Sequence, residues 1–306
     1  MKTVVTFGEI MGRLASPENL RLRQTRNLEV TYAGAEASVA ASICNFGGSA
    51  RYVTALPKHA LADATMDSVR AVGIDTQYVL RTDKGRLGLY FLETGANQRP
   101  SNVIYDREDS AIAITKAEEY NWDAIFDGAQ WLHLSGITPA LSKNTAEATL
   151  KAAQKAKAAG ALVSVDFNFR GKLWKWDSSK SARELAQATM RGILPYIDVV
   201  IANEEDCHDV LGIKAGETDV HSGELDTARY PDVARQVIAQ FPNVSKVAIT
   251  LRESYSASHN NWGAMLYDTK SDKAYFAPLD ADGNYQSYEI KNIVDRVGAG
   301  DSFAGG

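Results

Sequence analysis

Residues 294–306 read VDRVGAGDSFAGG. Gly298 and Gly300 stand one residue apart and Asp301 and Ser302 follow, so the backbone can turn tightly with its N–H groups outward while Asp301 or Ser302 caps a helix begun by Phe303 and Ala304. Such a turn suits an anion. A dinucleotide fingerprint would need a third glycine after the second and an early place in a βαβ unit. Here a carboxylate follows Gly300 directly and would repel a pyrophosphate. No G-x-x-x-x-G-K-[ST] phosphate loop occurs either.

Working outward from this turn, short apolar runs alternate with helix-length segments. The strand candidates are TVVTFGEI, RYVTAL, QWLHLSG, ALVSVDFNF, DVVIAN and KVAITL. The helix candidates include AEASVAASICNFG, ALADATMDSVRAVG, SKNTAEATLKAAQKAKAAG, SARELAQATMRGILPYI and YPDVARQVIAQF. This alternation predicts an α/β fold, a parallel sheet covered by helices on both faces. Segments 13–33 and 85–109 lack the helical period and are rich in β-branched and aromatic residues, as in NLEVTYA, GRLGLYFLE and NVIYDRE. They are expected to form a small β-sheet lid, leaving 1–12, 34–84 and 110–306 as the main domain that binds nucleotide and substrate. The polar stretch 214–227, KAGETDVHSGELDT, reads as a surface insertion.

Composition narrows the function. The 306 residues are 45% hydrophobic, enough for a large core, and the formal net charge is -5 with no long basic stretch, so no nucleic-acid partner is expected. No apolar run of about 18 residues occurs, so no membrane span is expected and the protein is placed in the cytoplasm. Cys44 and Cys207 lie in helix-like patterns and read as small buried residues, not a disulfide framework.

In open α/β sheets ligands sit beyond the carboxyl ends of the strands. SVDFNFR carries Asp166, Asn168 and Arg170 at alternate positions, on one face if the backbone stays extended. VVIANEED carries Asn203, Glu204, Glu205 and Asp206, an oxygen-rich group able to hold hydrated Mg²⁺. By itself that cluster reads more simply as an acidic helix N-terminus favoured by the dipole.

Asp295, Gly298, Ala299, Gly300, Asp301, Phe303 and Gly306 match a D-x-x-G-A-G-D-x-F-x-x-G pattern, and YAGAEASVAASICNFGG echoes G-G-x-x-x-N-x-A. On these motifs the chain resembles the ribokinase-like (PfkB) sugar kinases over nearly its whole length. The resemblance implies a ribokinase-like three-layer α/β/α sandwich with a small β-sheet lid, and an ATP- and Mg²⁺-dependent phosphotransferase with an alcohol acceptor. It implies Asp301 as the base in a catalytic turn of Gly298, Ala299 and Gly300, the amides from Ala299 to Asp301 as the anion site, Asn203, Thr250 and Arg252 toward the nucleotide, and Glu205 and Asp206 toward the metal. Where relatives carry two threonines the chain has Arg296 and Val297, which leaves a monovalent cation open.

Arg13 stands in the first-strand turn where several relatives carry Asp, and Tyr105 and Arg107 alternate in NVIYDRE. With Tyr90 and Arg170 they favour an acidic sugar, because guanidinium groups bind carboxylate bidentately. The set is similar to that of the 2-keto-3-deoxygluconate kinases, which implies Gly34, Tyr90, Tyr105, Arg107 and Arg170 as sugar contacts, with Arg13 beside them. The alternatives are a kinase for fructose, an aminosugar or 5-keto-2-deoxygluconate, and a non-catalytic sugar- or nucleotide-binding protein on the same fold. The unpaired edge of a lid sheet leads to an expected homodimer through the lid. A helix starting near Asp301 and ending at Gly306 falls short of the usual length of about 11 residues, so a C-terminal portion completing the adenine pocket is expected beyond the chain shown.

Overall fold

The computed structural model describes residues 2–213 and 229–306; the polar stretch 214–227 lies outside them. In chain order the strands are β1 (Thr3–Phe7), β2 (Met11–Ala15), β3 (Glu29–Ala33), β4 (Ser49–Val53), β5 (Ala55–Pro57), β6 (Leu80–Thr82), β7 (Leu89–Glu93), β8 (Asn102–Asp106), β9 (Ala129–Ser135), β10 (Leu162–Asp166), β11 (Val199–Ala202), β12 (Lys246–Ser256), β13 (His259–Asp268), β14 (Lys273–Ala277) and β15 (Tyr288–Lys291). Among the described residues the main sheet has nine strands in the order β14-β13-β12-β11-β10-β9-β1-β4, with β15 against β13. From β12 to β4 the pairing is parallel, as the apolar runs predict, and β13, β14 and β15 add an antiparallel edge. The pattern did not announce that edge. HNNWGAMLYD alternates too weakly to be separated from a loop.

The parallel strands are buried on both faces, as Val163, Ser164 and Val165 of β10 are. Helix Lys143–Ala158 covers one face through Ala148, Ala152, Ala153 and Ala156, whose small side chains let the helix approach the sheet closely. Its start is set by a capping box at Ser142 and Thr145, and helix Ala182–Ile193 begins with another at Ser181 and Glu184. Helix Ala35–Asn45 buries Glu36, Ala37, Val39 and Ala40.

β1 has β4 on one side and β9 on the other, so the direction of strand addition reverses between β1 and β9. A crevice at the carboxyl ends of these strands is where such a sheet takes its ligand. A separate four-stranded sheet, in the order β3-β2-β7-β8, lies beyond this end, and its first strand β2 begins at Met11, two residues ahead of segment 13–33. Its register sets Thr31, Arg13, Tyr90 and Tyr105 in one row across the strands and Val30, Leu14, Phe91 and Ile104 in the next. Successive residues face opposite ways, so the two rows belong to opposite faces. No helix among the described residues is long and apolar enough to cross a membrane.

Candidate active site

The terminal turn differs in one respect from the reading of its residues. Helix Ala299–Gly305 starts before Asp301, and its N-cap is Gly298 at φ 85°, a left-handed conformation that glycine takes without strain. Asp301 therefore sits inside the first turn, and neither it nor Ser302 is the cap. The Ser302 amide donates to the Gly298 carbonyl at 2.8 Å, while the amides of Gly300 and Asp301 belong to the first turn, where helix geometry supplies no intrahelical acceptor. A Cβ built at Gly300 would meet nothing within 4 Å, so a ligand can approach that backbone. Asp301 is half-buried, and its pKa is pushed up to about 7 by burial and then by the charge of Glu36, with Arg170 acting in the opposite sense. The helix end does not hold this carboxylate at an ordinary value; loss of water outweighs the dipole.

Glu36 was not marked by the sequence reading. It is buried in the first turn of helix Ala35–Asn45 and accepts hydrogen bonds at 2.7 Å from both Ser135, at the end of β9, and Thr138, just beyond it. Burial raises its pKa, and the two hydroxyls and Arg107 lower it. A signal was available. An acidic residue at the same helical face as Val39 and Ala40 is out of place unless something polar waits inside.

The strand-end residues converge, though by another geometry than alternation. β10 stops at Asp166 and Asn168 takes φ 36°, so Asp166, Asn168 and Arg170 do not share an extended face. Arg170 is exposed, its Nη1 donates to the Phe169 carbonyl at 3.1 Å, and its charge acts on Asp166, Asp206 and Asp301. Burial, then Asp206 and Asp301, hold the Asp166 carboxyl well above its ordinary range. Asn203 and Asp206 form a capping box at the start of helix Glu204–Leu211. The Asp206 amide donates to Asn203 Oδ1 at 2.7 Å, and the Asp206 carboxylate accepts from the amides of Asn203 at 3.3 Å and Phe169 at 2.9 Å. Both side chains thus have a structural task. Burial still pushes Asp206 up to about 6. Glu205 is exposed beside them.

Thr250 and Arg252 alternate on β12. Arg252 is held below the usual guanidinium range by loss of water and then by the like charge of Arg296, with Glu205 opposing and Arg170 adding to the effect. Three arginines gathered at one place suit a polyanion such as a triphosphate. Among the described residues no three His, Cys, Asp or Glu side chains gather to hold a metal ion by themselves. A Mg²⁺ at this place would take most of its oxygens from phosphate and water.

On the small sheet, Tyr90 is buried with its pKa pushed up to about 12, by burial first, with Asp295, Tyr105 and Asp301 adding and Arg13 opposing. The Tyr90 and Tyr105 rings lie 6.2 Å apart, and the Arg107 guanidinium stands 5.4 Å over the Tyr105 ring. Arg13 pairs with Asp295 at 2.6 Å, which ties β2 to the terminal turn. Arg107 is 8% exposed and pairs with Glu9, which is 4% exposed. Neither arginine is free as its place in the sequence implied: each is bound to a carboxylate of the chain itself. Arg170, in contrast, makes no ion pair among the described residues. Gly34 is needed for close approach, since a Cβ there would lie 2.1 Å from the Glu9 carbonyl oxygen.

A family model described as pfkB family carbohydrate kinase matches residues 1–251. The chain is 33% identical over 302 residues to a 2-dehydro-3-deoxygalactonokinase of Haloferax volcanii, covering 99% of this chain and 82% of the relative. It is 28% identical over 303 residues to a 2-dehydro-3-deoxygluconokinase of Bacillus subtilis, covering 99% and 81%. The crystal structure of a 2-dehydro-3-deoxygluconokinase from Thermotoga maritima superposes with a TM-score of 0.89 at 44% identity, covering 100% of this chain and 86% of that one.

Proposed function

The chain belongs to the pfkB family of carbohydrate kinases, and on that premise we propose that it transfers the γ-phosphoryl group of ATP to the terminal hydroxyl of 2-keto-3-deoxygluconate, also written 2-dehydro-3-deoxygluconate. The observation that carries the mechanism is the place of Asp301: inside the first turn of its helix, next to amides open to a ligand, with a carboxyl whose pKa is about 7. A base of that pKa accepts the hydroxyl proton near neutral pH. The amides of Gly300 and Asp301 face the negative charge that spreads over the transferred oxygens. Arg252 and Arg296 attract the nucleotide phosphates, and the charge of Arg170 acts on both Arg252 and Asp301. Glu205, exposed beside the cap, would face a Mg²⁺ bound with ATP, and that ion would supply positive charge to the phosphates. The row Arg13, Tyr90, Tyr105, with Arg107 over the last ring, forms the sugar side under the lid.

A coupled ADP-release assay tests this reading. Turnover is expected with 2-keto-3-deoxygluconate and its epimer 2-keto-3-deoxygalactonate, at kcat/KM about 100-fold above that for fructose, the margin of one charge-assisted carboxylate contact. Preference for fructose would sink the substrate assignment, and binding of ATP and sugar with no ADP formed would favour a binding protein.

The partner is a second copy of the chain, docked through the outer face of the small sheet. Val30 and Ile104 on that face are 53% and 51% exposed, and a depression of about 470 Å³ lined by Leu22, Leu28, Phe91 and Ile104 lies beside them. Exposed apolar residues in one row lose water on pairing. Ile104→Asp is expected to shift the protein from dimer to monomer in sedimentation at micromolar concentration; a wild-type monomer under those conditions refutes the interface.

A further inference from the structure

The ion pair between Arg107 and Glu9 joins residues 98 positions apart, one in the connection that follows β1 and the other just past the end of β8. Both belong to the crossings between the main sheet and the small one. Arg107 Nε donates to Glu9 Oε2 at 2.7 Å and Nη2 pairs with the same oxygen. One edge of the guanidinium is thereby spent inside the protein. Nη1 donates to no group among the described residues, and the Tyr105 ring 5.4 Å away limits the tilt of the plane.

Glu9 is closely packed by the chain around it. A Cβ at Gly88 would lie 2.7 Å from Glu9 Oε1 and 3.3 Å from the Arg107 Cβ, and one at Gly34 would lie 2.1 Å from the Glu9 carbonyl oxygen. The Gly34 crossing thus closes on the Glu9 backbone so tightly that a Cβ would not fit, and the Gly88 crossing lies against the Glu9 carboxylate. Arginine on its own is a flexible side chain whose planar fork binds a carboxylate well only when its direction is set. A caged carboxylate holding the Nε and Nη2 edge sets that direction.

We propose that Glu9 is a positioning residue for acid-sugar recognition: it holds the inner edge of the Arg107 guanidinium so that the outer edge, Nη1, is presented to the carboxylate of the substrate. This rests on the reading of Arg107 as a contact to an acidic sugar. It adds that the contact is set up before the substrate arrives, by a residue that does not touch the substrate.

The test compares Glu9→Gln, Arg107→Ala and the double variant with 2-keto-3-deoxygluconate and ATP. Gln keeps the shape of Glu9 but loses its charge and opposes an NH₂ to Nη2. The expected result is a KM for the sugar about tenfold higher with kcat within about threefold, the size of effect usual for residues that orient a ligand-binding side chain. In the Arg107→Ala background the same substitution is expected to add nothing to KM, because the partner it acts through is gone. A purely structural role would give additive effects and overturn the proposal. So would an unchanged KM in Glu9→Gln alongside a raised one in Arg107→Ala, an outcome that leaves the substrate reading intact. An unchanged KM in Arg107→Ala itself would overturn the substrate reading instead, and this proposal with it. If Glu9→Gln does not fold, Glu9→Asp, which withdraws the charge by one methylene, carries the same comparison with a smaller expected rise.

Discussion

Asp301→Asn is expected to lower kcat by about 10²–10⁴-fold, the usual contribution of a positioned general base, while KM for ATP and sugar changes only a few-fold. The amide side chain keeps the size of Asp301 and leaves the first-turn N–H groups in place, so what is removed is the proton acceptor. The wild-type kcat/KM should rise with pH to a plateau with a midpoint near 7, the pKa to which burial and Glu36 push this carboxyl. The same shift makes a second statement. A carboxyl whose pKa is raised on folding, here from 3.8 to about 7, holds its proton more tightly in the folded chain, so stability falls as pH rises from about 4 through about 7. Asn is neutral throughout. The thermal midpoint of Asp301→Asn should therefore match wild type near pH 4 and exceed it at pH 8. A kcat within tenfold of wild type would falsify the assignment of the base, and an unchanged pH dependence of the thermal midpoint would refute the buried-charge argument separately.

Arg107→Ala is expected to act twice. The sugar loses a charge-assisted hydrogen bond of about 1.5–3 kcal/mol, so its KM should rise between about tenfold and 150-fold. Glu9 is left almost fully buried without its partner, which for a broken buried ion pair costs about 3–5 kcal/mol of folding stability. Thermal melting with and without the sugar separates the two. Arg107→Lys sharpens the comparison: an ammonium can still pair with Glu9 but offers no second edge, so stability should recover more than KM does. If Lys restored the KM fully, a planar two-sided guanidinium would not be what the site uses.

Both predictions draw on features of different visibility in the sequence. The strands and long helices of the main domain were legible because their apolar spacing is a local property, and capping pairs such as Ser181 with Glu184 lie three residues apart. The terminal turn was legible for the same reason. Its details were less so: the helix is capped at Gly298, three residues earlier than a cap at Asp301 would place it, because Gly298 accepts a left-handed conformation that the sequence permits but does not require. The acidic cluster at Asn203 to Asp206 was open to two readings, and the short-range hydrogen bonds make it a helix cap, with Glu205 left outward.

From its own order of residues, the chain determined the α/β alternation, the excursion into a second small sheet, and the carboxylate beside the glycine turn, since each depends on neighbours a few positions apart. Only the tertiary structure decided which charge meets which: Arg107 with Glu9 across 98 residues, Arg13 with Asp295, and Glu36 with Ser135 and Thr138. The physical reason is that a buried charge is tolerable only where another group compensates it, and that group is chosen by where distant strands happen to end.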